Sequence, residues 1–225
     1  MEEQIDKKKI PYITTKLRHN ILEMPPVIRE ASGIVIFGRR IKSLVFTTDI
    51  AIIRNCDADA VLAVYPFTPQ QIIADSIIKA ADMPVFCGVG GGITNGMRTV
   101  NLAKDAEHSG AMGVVMNAPI SNDNIRMVFD EIDAPIVVTV TSENTDIAAR
   151  LEAGVSILNV ACGKDTPDVV RRIRQQFPDV PIMASGGNTE ESIAQTIEAG
   201  ANAITYTPPS TYDLFKEIMV KYRNS

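Results

Sequence analysis

Three stretches of the sequence repeat one phrase, Asp-x-Pro followed by a short apolar run: DMPVFCG at residues 82–88, DAPIVVT at 133–139 and DVPIMAS at 179–185. Their starts lie 51 and 46 residues apart. In a second recurring phrase a helix end and a small residue precede another apolar run: HSGAMGVVMN (108–117), EAGVSILNVA (152–161) and EAGANAITYT (198–207). Short apolar runs without polar alternation are typical of strands that are covered on both faces of a parallel sheet.

The same pattern extends along most of the chain. Apolar runs lie near residues 43–47, 61–66, 84–88, 112–117, 135–140, 156–161, 181–185 and 203–207, and each is followed by a stretch with helical spacing of apolar residues. Capping residues such as Ser121 and Thr189 mark the starts of helices between these runs. Eight strand–helix units at regular spacing predict an α/β fold, a single closed (β/α)8 TIM barrel over residues 43–225.

Residues 1–42 precede the first unit and form a predicted N-terminal extension. Residues 14–23 have the spacing of a helix, which Pro25 and Pro26 end. The stretch GIVIFGRRIKSLVF at 33–46 predicts a β-hairpin that runs into the first strand. We expect this helix and hairpin to cap the bottom of the barrel, where sequence features usually serve stability.

The composition predicts a globular protein and limits its expected partners and location. With 225 residues, 45% of them hydrophobic, and a mean hydropathy of +0.06, the chain is long enough to bury a sizeable core. Its 22 Lys and Arg against 27 Asp and Glu give a net charge of −5, so we expect no nucleic-acid or membrane partner. The N-terminus has no apolar run, and three cysteines at wide spacing are typical of reduced thiols, so we expect a cytoplasmic protein. Association into a homo-oligomer is left open.

Ligands of such barrels bind at the C-terminal ends of the strands. The most specific signal there is SGGNTEE at 185–191, which leaves the seventh strand and enters a helix. The glycines let backbone N–H groups approach a ligand, and the helix start adds unpaired donors, which suit a phosphate. We therefore expect six residues to bind phosphate or ligand: Ser185, Gly186, Gly187, Asn188, Thr205 and Thr207. A tight turn without a ligand is the alternative for the two glycines.

Two further patterns indicate ligand contacts at this face. The run CGVGGGITNG at 87–96 predicts either a sharp loop or a backbone wall against a ligand, which makes Gly90 and Gly91 candidates. Short polar residues near the ends of strands four to eight predict a hydrogen-bonding floor for a polar ligand: Asn117, Thr139, Thr141, Asn159, Ser185 and Thr205.

The candidate catalytic residues are few. Glu143 and Asp49 are the best general-base candidates, and Asn159 would orient the substrate. The two histidines, His19 and His108, lie away from the strand ends, so no metal site is predicted. We therefore expect that no cofactor is required, with flavin mononucleotide (FMN) as the alternative cofactor.

One segment carries a family resemblance. FPDVPIMASGGNTEESIAQTIEAGANAI at 177–204 resembles the closing segment of the phosphate-binding barrels: the ribulose-phosphate-binding proteins, the keto-deoxy-phosphogluconate aldolases, the thiazole synthases and the inosine-monophosphate dehydrogenase group. The resemblance implies a phosphorylated ligand on Gly186 and Gly187. EAGVSILNVACG at 152–163 resembles the segment in which the aldolases carry a Schiff-base lysine, but Asn159 stands there, so Schiff-base chemistry is not expected. TPPS at 207–210 departs from the family pattern, because prolines have no N–H to donate.

These features predict a barrel that binds a small phosphorylated metabolite. The first hypothesis is a metal-independent enzyme of the isomerase or lyase type, which performs proton transfer or carbon–carbon bond chemistry on a phosphosugar or a phosphorylated heterocycle. Two alternatives stay open. One is a metabolite-sensing regulator without catalysis, similar to the glycerol-3-phosphate-responsive antiterminators, and the other is an oxidoreductase that binds FMN.

Overall fold

The structure, a computed structural model, describes residues 11–16 and 21–224. Two short strands come first, β1 (Ile34–Ile36) and β2 (Arg39–Ile41). Eight parallel strands then close into a barrel: β3 (Ser43–Phe46), β4 (Ala60–Ala63), β5 (Val85–Gly90), β6 (Gly113–Met116), β7 (Ile136–Val140), β8 (Ile157–Val160), β9 (Ile182–Ser185) and β10 (Ala203–Tyr206). Since β10 pairs with β3, the sheet has no open edge. The predicted (β/α)8 barrel is confirmed.

A helix follows each barrel strand: α1 (Ile50–Ile53), α2 (Gln71–Ala80), α3 (Met97–His108), α4 (Asn122–Phe129), α5 (Ile147–Glu152), α6 (Thr166–Gln176), α7 (Glu190–Glu198) and α8 (Thr211–Asn224). Side-chain caps start several of them, as the sequence predicts. Ser121 accepts the N–H of Asn124 at 3.2 Å, and Thr189 forms a reciprocal capping box with Ser192. These caps satisfy N–H groups that a helix start leaves unpaired.

Apolar side chains fill both sides of the barrel wall. Inside the ring lie inward-facing residues of each strand: Leu44, Leu62, Phe86, Val115, Val137, Ile157, Met183 and Ala203. Outward-facing residues such as Val45, Val114 and Val138 pack with the helices in a second cluster. The interior is therefore a packed core, and only the ends of the strands can hold a ligand.

The hairpin lies at the N-terminal end of the barrel. Strands β1 and β2 pair antiparallel around a two-residue turn in which Phe37 and Gly38 have φ of 47° and 78°. The side chains of Ile34, Ile36 and Ile41 are buried in the same cluster as the barrel interior. The boundary at residue 42 between extension and barrel stays a prediction.

The predicted N-terminal helix is not present at either of its ends. Residues 14–16 and 21–23 are not helical, and residues 17–20 lie outside the described residues. The Leu22 N–H donates to the Asn55 carbonyl at 2.8 Å, and Leu22 forms a parallel bridge with Cys56, so the chain is extended there. A 3₁₀ helix, Pro26–Glu30, begins only after this segment. The backbone of Leu22 thus pairs with the loop after α1 instead of forming the helix that the spacing of apolar residues predicts.

Candidate functional site

The uppermost inward-facing positions of the eight strands form what we call the mouth layer. Because side chains alternate between the two faces of a strand, each position lies two residues beyond an inward-facing core residue. The layer consists of Phe46, Val64, Gly88, Asn117, Thr139, Asn159, Ser185 and Thr205. Its first three residues, at β3 to β5, are apolar or glycine. Its last five residues, at β6 to β10, are uncharged and polar. A ligand at the mouth therefore meets a nonpolar side and a hydrogen-bonding side.

Four members of the mouth layer form a hydrogen-bonded chain, which we call the polar row. Thr139 Oγ1 donates to Asn117 Oδ1 at 2.8 Å, and Asn159 Nδ2 donates to Thr139 Oγ1 at 3.4 Å. Thr205 Oγ1 donates to Asn159 Oδ1 at 3.4 Å. Thr205 and Asn159 lie on β10 and β8, which are separated by β9, so this bond spans the barrel interior. The structure thus brings these four predicted site residues together.

A cavity of about 320 Å³ opens beside the row, between the loops that follow β4, β5 and β6. We call it the loop cavity. Its lining includes three predicted ligand residues, Gly90, Gly91 and Asn117. Its lining includes the large apolar side chains of Tyr65, Phe67 and Ile93, and none of the described residues that line it is charged. The volume is at the lower end of the range for small-molecule sites.

The glycine run beside this cavity has a structural explanation at two positions. A Cβ at Gly90 would lie 2.5 Å from Thr99 Cγ2, and a Cβ at Gly91 would lie 2.3 Å from the carbonyl oxygen of Asn117. Gly91 also has a φ of 115°, which side chains disfavour. The loop therefore packs closely against its own chain, and close packing by itself accounts for the two glycines.

The loop after β9 contains two glycines, one of which packs closely against α7, and backbone N–H groups without a backbone acceptor. A Cβ at Gly186 would lie 2.8 Å from Ile193 Cγ1, and Gly187 has a φ of 79°. Among the described residues, the N–H groups of Gly187 and Asn188 have no backbone acceptor. These donors and the start of α7 can face an anion, although Glu190 and Glu191 in the first helical turn oppose negative charge.

The loop after β10 is closed by side-chain contacts. Thr211 Oγ1 donates a short hydrogen bond to Asp49 Oδ2, which links this loop to the one after β3. The hydroxyl of Ser210 accepts the N–H of Asp213 at 3.2 Å. Thr207 is exposed at the end of the strand, and two prolines follow it. Few donors are left here to complete a phosphate site.

The two predicted general bases lie apart from the polar row. Asp49 caps α1 by accepting the N–H groups of Ala51 and Ile52 at 2.8 and 3.3 Å. The hydrogen bond from Thr211, followed by these backbone bonds, lowers the pKa of Asp49 against an opposing effect of burial. Glu143 accepts a short hydrogen bond from Arg172 and lines a separate cavity of about 300 Å³ between α5 and α6. Catalytic roles for both carboxylates stay predictions.

The cysteines at the strand ends are poorly suited to nucleophilic chemistry. Burial raises the pKa of Cys87, on β5, to about 12. Burial also raises the pKa of Cys162, whose Sγ lies 3.5 Å from the Val140 carbonyl oxygen. A raised pKa leaves little thiolate, which is the reactive form.

Sequence reasoning missed a buried polar group beneath the glycine run. Thr99 Oγ1 donates to the Thr94 carbonyl at 3.0 Å, and Asn124 Oδ1 accepts the Gly96 N–H at 2.8 Å. The Nδ2 of Asn124 is buried without a partner among the described residues. A Ser-x-x-Asn spacing at residues 121–124 was the only local signal, and it indicates the helix cap rather than the contact with Gly96.

Comparisons with known proteins confirm the barrel and little beyond it. No family model matches the sequence. The inosine-5'-monophosphate dehydrogenase of Halalkalibacterium halodurans is 41% identical over 69 residues, which span 28% of this chain and 14% of that protein. Among solved structures, phosphonopyruvate hydrolase in complex with oxalate and Mg²⁺ has a TM-score of 0.65 at 13% identity, over 84% of this chain and 84% of that chain. For 2,3-dimethylmalate lyase, a PEP mutase/isocitrate lyase superfamily member, the TM-score is 0.64 at 14% identity, over 96% of this chain and 89% of that chain.

These neighbours bear on two predictions from the sequence, the family resemblance and the expectation that no cofactor is required. The resemblance to aldolases and ribulose-phosphate-binding proteins is not supported by them, since they include the PEP mutase/isocitrate lyase superfamily. The prediction that no cofactor is required is contradicted by phosphonopyruvate hydrolase, a barrel of the same fold, which was solved in complex with oxalate and Mg²⁺.

The described residues contain no cluster of side chains that is typical of a metal centre. Within residues 11–16 and 21–224, no three or more His, Cys, Asp or Glu side chains lie together as ligands of a metal ion. The polar row offers amides and hydroxyls, whereas proteins usually hold Mg²⁺ through one or two carboxylates together with substrate phosphates. None of the helices in the described part of the chain has the length and apolar character needed to cross a membrane.

Proposed function

We propose that this protein is an enzyme of the lyase or isomerase type that binds a small phosphorylated or carboxylate metabolite at the C-terminal mouth of its barrel. The observation that carries the proposal is the polar row, Asn117, Thr139, Asn159 and Thr205. The names of the neighbours support it, since phosphonopyruvate hydrolase and 2,3-dimethylmalate lyase are named for such substrates. The partial relative is named for a nucleoside monophosphate.

The geometry of the row suits a ligand that is not yet bound. Both hydrogen bonds of Asn159 measure 3.4 Å, whereas good bonds of this type lie near about 2.9 Å. A ligand hydroxyl or carboxylate oxygen can replace these long contacts with shorter ones. The anionic end of the ligand would then face the free N–H groups of Gly187 and Asn188.

Glu143 is the better of the two candidate bases. Asp49 is held by three hydrogen bonds that lower its pKa, and a lowered pKa weakens a carboxylate as a proton acceptor. Glu143 has an exposed ion pair with Arg172, and exposed pairs contribute about 0–1 kcal/mol, so little free energy opposes a change of rotamer. We propose that Glu143 moves toward the mouth when a ligand binds and takes a proton there.

Ligand binding is tested by thermal shift with ribose 5-phosphate and with oxalate, each with and without Mg²⁺. A ligand at a hundredfold its Kd adds about 2.7 kcal/mol to stability. We expect at least one of them to raise the Tm of the wild-type chain, and Thr139→Val and Thr205→Val to remove the shift. The matched control is Thr196→Val, since the Thr196 hydroxyl is buried on α7 and donates only to the Ser192 carbonyl at 2.9 Å. If neither compound shifts the Tm, or if the row variants respond as the control does, the proposal is wrong.

Catalysis is tested on whichever ligand binds. The chain is incubated with it in deuterated water, and exchange of carbon-bound hydrogen is followed by proton NMR. We expect exchange with the wild type and a loss of at least about a hundredfold with Glu143→Gln, the size typical of general-base catalysis.

A second candidate, a metabolite sensor without catalysis, is favoured by one observation. None of the eight mouth-layer residues is titratable. Binding without isotope exchange or product, in the wild type and in Glu143→Gln alike, would support the sensor over the enzyme.

A further inference from the structure

The loop cavity differs in chemistry from the polar row that it adjoins. Its lining combines apolar side chains with bare backbone at Gly88 and residues 90–92, which we call the glycine wall. We propose that the loop cavity binds a planar, uncharged heteroaromatic ring, so that the ligand is a ring-bearing metabolite with an anionic tail. This inference rests on the proposed function and specifies the class of substrate.

The glycine wall offers backbone surface to a ligand rather than free N–H groups at Gly91 and Gly92. The Gly91 N–H donates to the Thr94 carbonyl at 2.9 Å, and the Gly92 N–H donates to the Pro119 carbonyl at 2.9 Å. Because these two donors already have acceptors, Gly91 and Gly92 do not offer them to an anion. A Cβ at Gly90 or Gly91 would point into the chain's own packing, so these residues line the cavity with backbone atoms, against which a flat ring can lie.

Aromatic and aliphatic side chains line the rest of the cavity. The Tyr65 hydroxyl accepts the Gln70 N–H at 2.8 Å, which holds the tyrosine ring in place before a ligand arrives. Phe67 and Ile93 are 75% and 91% exposed although both line the cavity. A bound ring would cover part of this apolar surface, and aromatic side chains favour such contacts.

One polar group in the cavity selects for a heteroatom. Asn117 uses its Oδ1 to accept from Thr139, and its Nδ2 has no hydrogen-bond acceptor among the described residues. Since Asn117 lines the cavity and also begins the polar row, its free amide can donate to a ring nitrogen or carbonyl oxygen. The rest of the ligand then extends over the row. The absence of charged residues in the lining disfavours a charged ring.

The test compares three probes by isothermal titration on the full chain: adenosine 5'-monophosphate, ribose 5-phosphate and adenosine. The first two share the tail and differ in the ring. We expect adenosine 5'-monophosphate to bind about tenfold more tightly than ribose 5-phosphate, the size of one base–aromatic stacking contact. Phe67→Ala should weaken the two ring-bearing probes by a similar factor and leave ribose 5-phosphate unchanged. The control is Phe37→Ala, because Phe37 is 74% exposed on the hairpin at the opposite end of the barrel.

The outcomes separate this inference from the function on which it rests. Equal affinity for the two phosphorylated probes would overturn the ring site and leave the phosphate-binding barrel standing. A ring preference that persists unchanged in Phe67→Ala and Ile93→Ala would refute its placement in the loop cavity. Binding of none of the three probes would overturn the ring site, and if oxalate also fails to raise the Tm, the proposed function is overturned with it. If adenosine binds tightly and the Thr139→Val variant binds it equally well, the result would support the ring site and count against the polar row.

Discussion

Replacing Thr139 by Val removes the central hydroxyl of the polar row and keeps the shape of the side chain. The hydroxyl donates to Asn117 at 2.8 Å and accepts from Asn159 at 3.4 Å. Asn159 is 5% exposed, so water cannot easily replace the lost partner. The change therefore removes one good hydrogen bond and leaves a buried amide N–H unpaired, without opening a cavity.

The expected loss of stability follows from these contacts. A typical hydrogen bond contributes about 1 kcal/mol, and an unsatisfied buried donor costs about 1–3 kcal/mol, so we expect a loss of about 2 kcal/mol. For a domain of this size that corresponds to a fall in Tm of roughly 4–8 °C. The control Thr196→Val breaks a single bond at 2.9 Å and should lose about 1 kcal/mol. Urea unfolding followed by circular dichroism measures both variants, with the slope m expected to be unchanged.

A loss of stability in Thr139→Val no greater than in the control would contradict the polar row as a buried network. It would mean that the amide of Asn159 is already hydrated, and that the row is not a connected network in the free protein. A stabilised Thr139→Val variant with normal ligand response would equally contradict a binding role.

Three further predictions concern single residues. Asp49→Ala should lower stability by about 1 kcal/mol at pH 7, through loss of the α1 cap. Because hydrogen bonds lower the pKa of Asp49, the difference in stability between the wild type and Asp49→Ala should be present above about pH 4 and should vanish as the pH falls through the lowered pKa. Urea titrations at several pH values measure this difference. A difference that stays constant with pH would contradict the role of the ionised carboxylate. Cys87, whose pKa burial raises to about 12, should resist iodoacetamide at pH 8 until urea unfolds the chain, and early labelling seen by mass spectrometry would refute its burial. Gly91→Ala should destabilise the fold by well over 1 kcal/mol, because its Cβ would lie 2.3 Å from a carbonyl oxygen at a φ of 115°. Gly92→Ala, at a φ of 61° in open space, should cost about 1 kcal/mol, and equal losses would contradict the packing argument.

The fold was predictable because it depends on local patterns. Eight apolar runs and the helices between them repeat along the chain, and each run became a barrel strand. The caps Ser121 and Thr189 were predictable for the same reason, since a cap depends on residues within one turn. The N-terminal helix failed because its helical spacing competes with a distant partner, the loop after α1, which pairs with Leu22.

The candidate site was predictable in part. Alternation along the strands places Asn117, Thr139, Asn159 and Thr205 on the inner face, and the structure joins all four. The loop cavity was anticipated only through Gly90, Gly91 and Asn117 in its lining. The buried Thr99 and the unpaired amide of Asn124 carried no sequence signal of their role, because burial of a polar group depends on packing between helices.

The amino-acid sequence was sufficient to predict a barrel of eight strands, the residues at the C-terminal end of each strand, and a mouth rich in uncharged polar groups. The hydrogen-bond partners of these groups follow from the three-dimensional arrangement of the strands. Asp49 pairs with Thr211, 162 residues away, and Glu143, in the loop after β7, pairs with Arg172 on α6. Thr205 reaches Asn159 across an intervening strand. Strand and helix periods follow from the geometry of neighbouring residues, whereas these contacts exist only after the sheet closes and brings distant strand ends to one mouth.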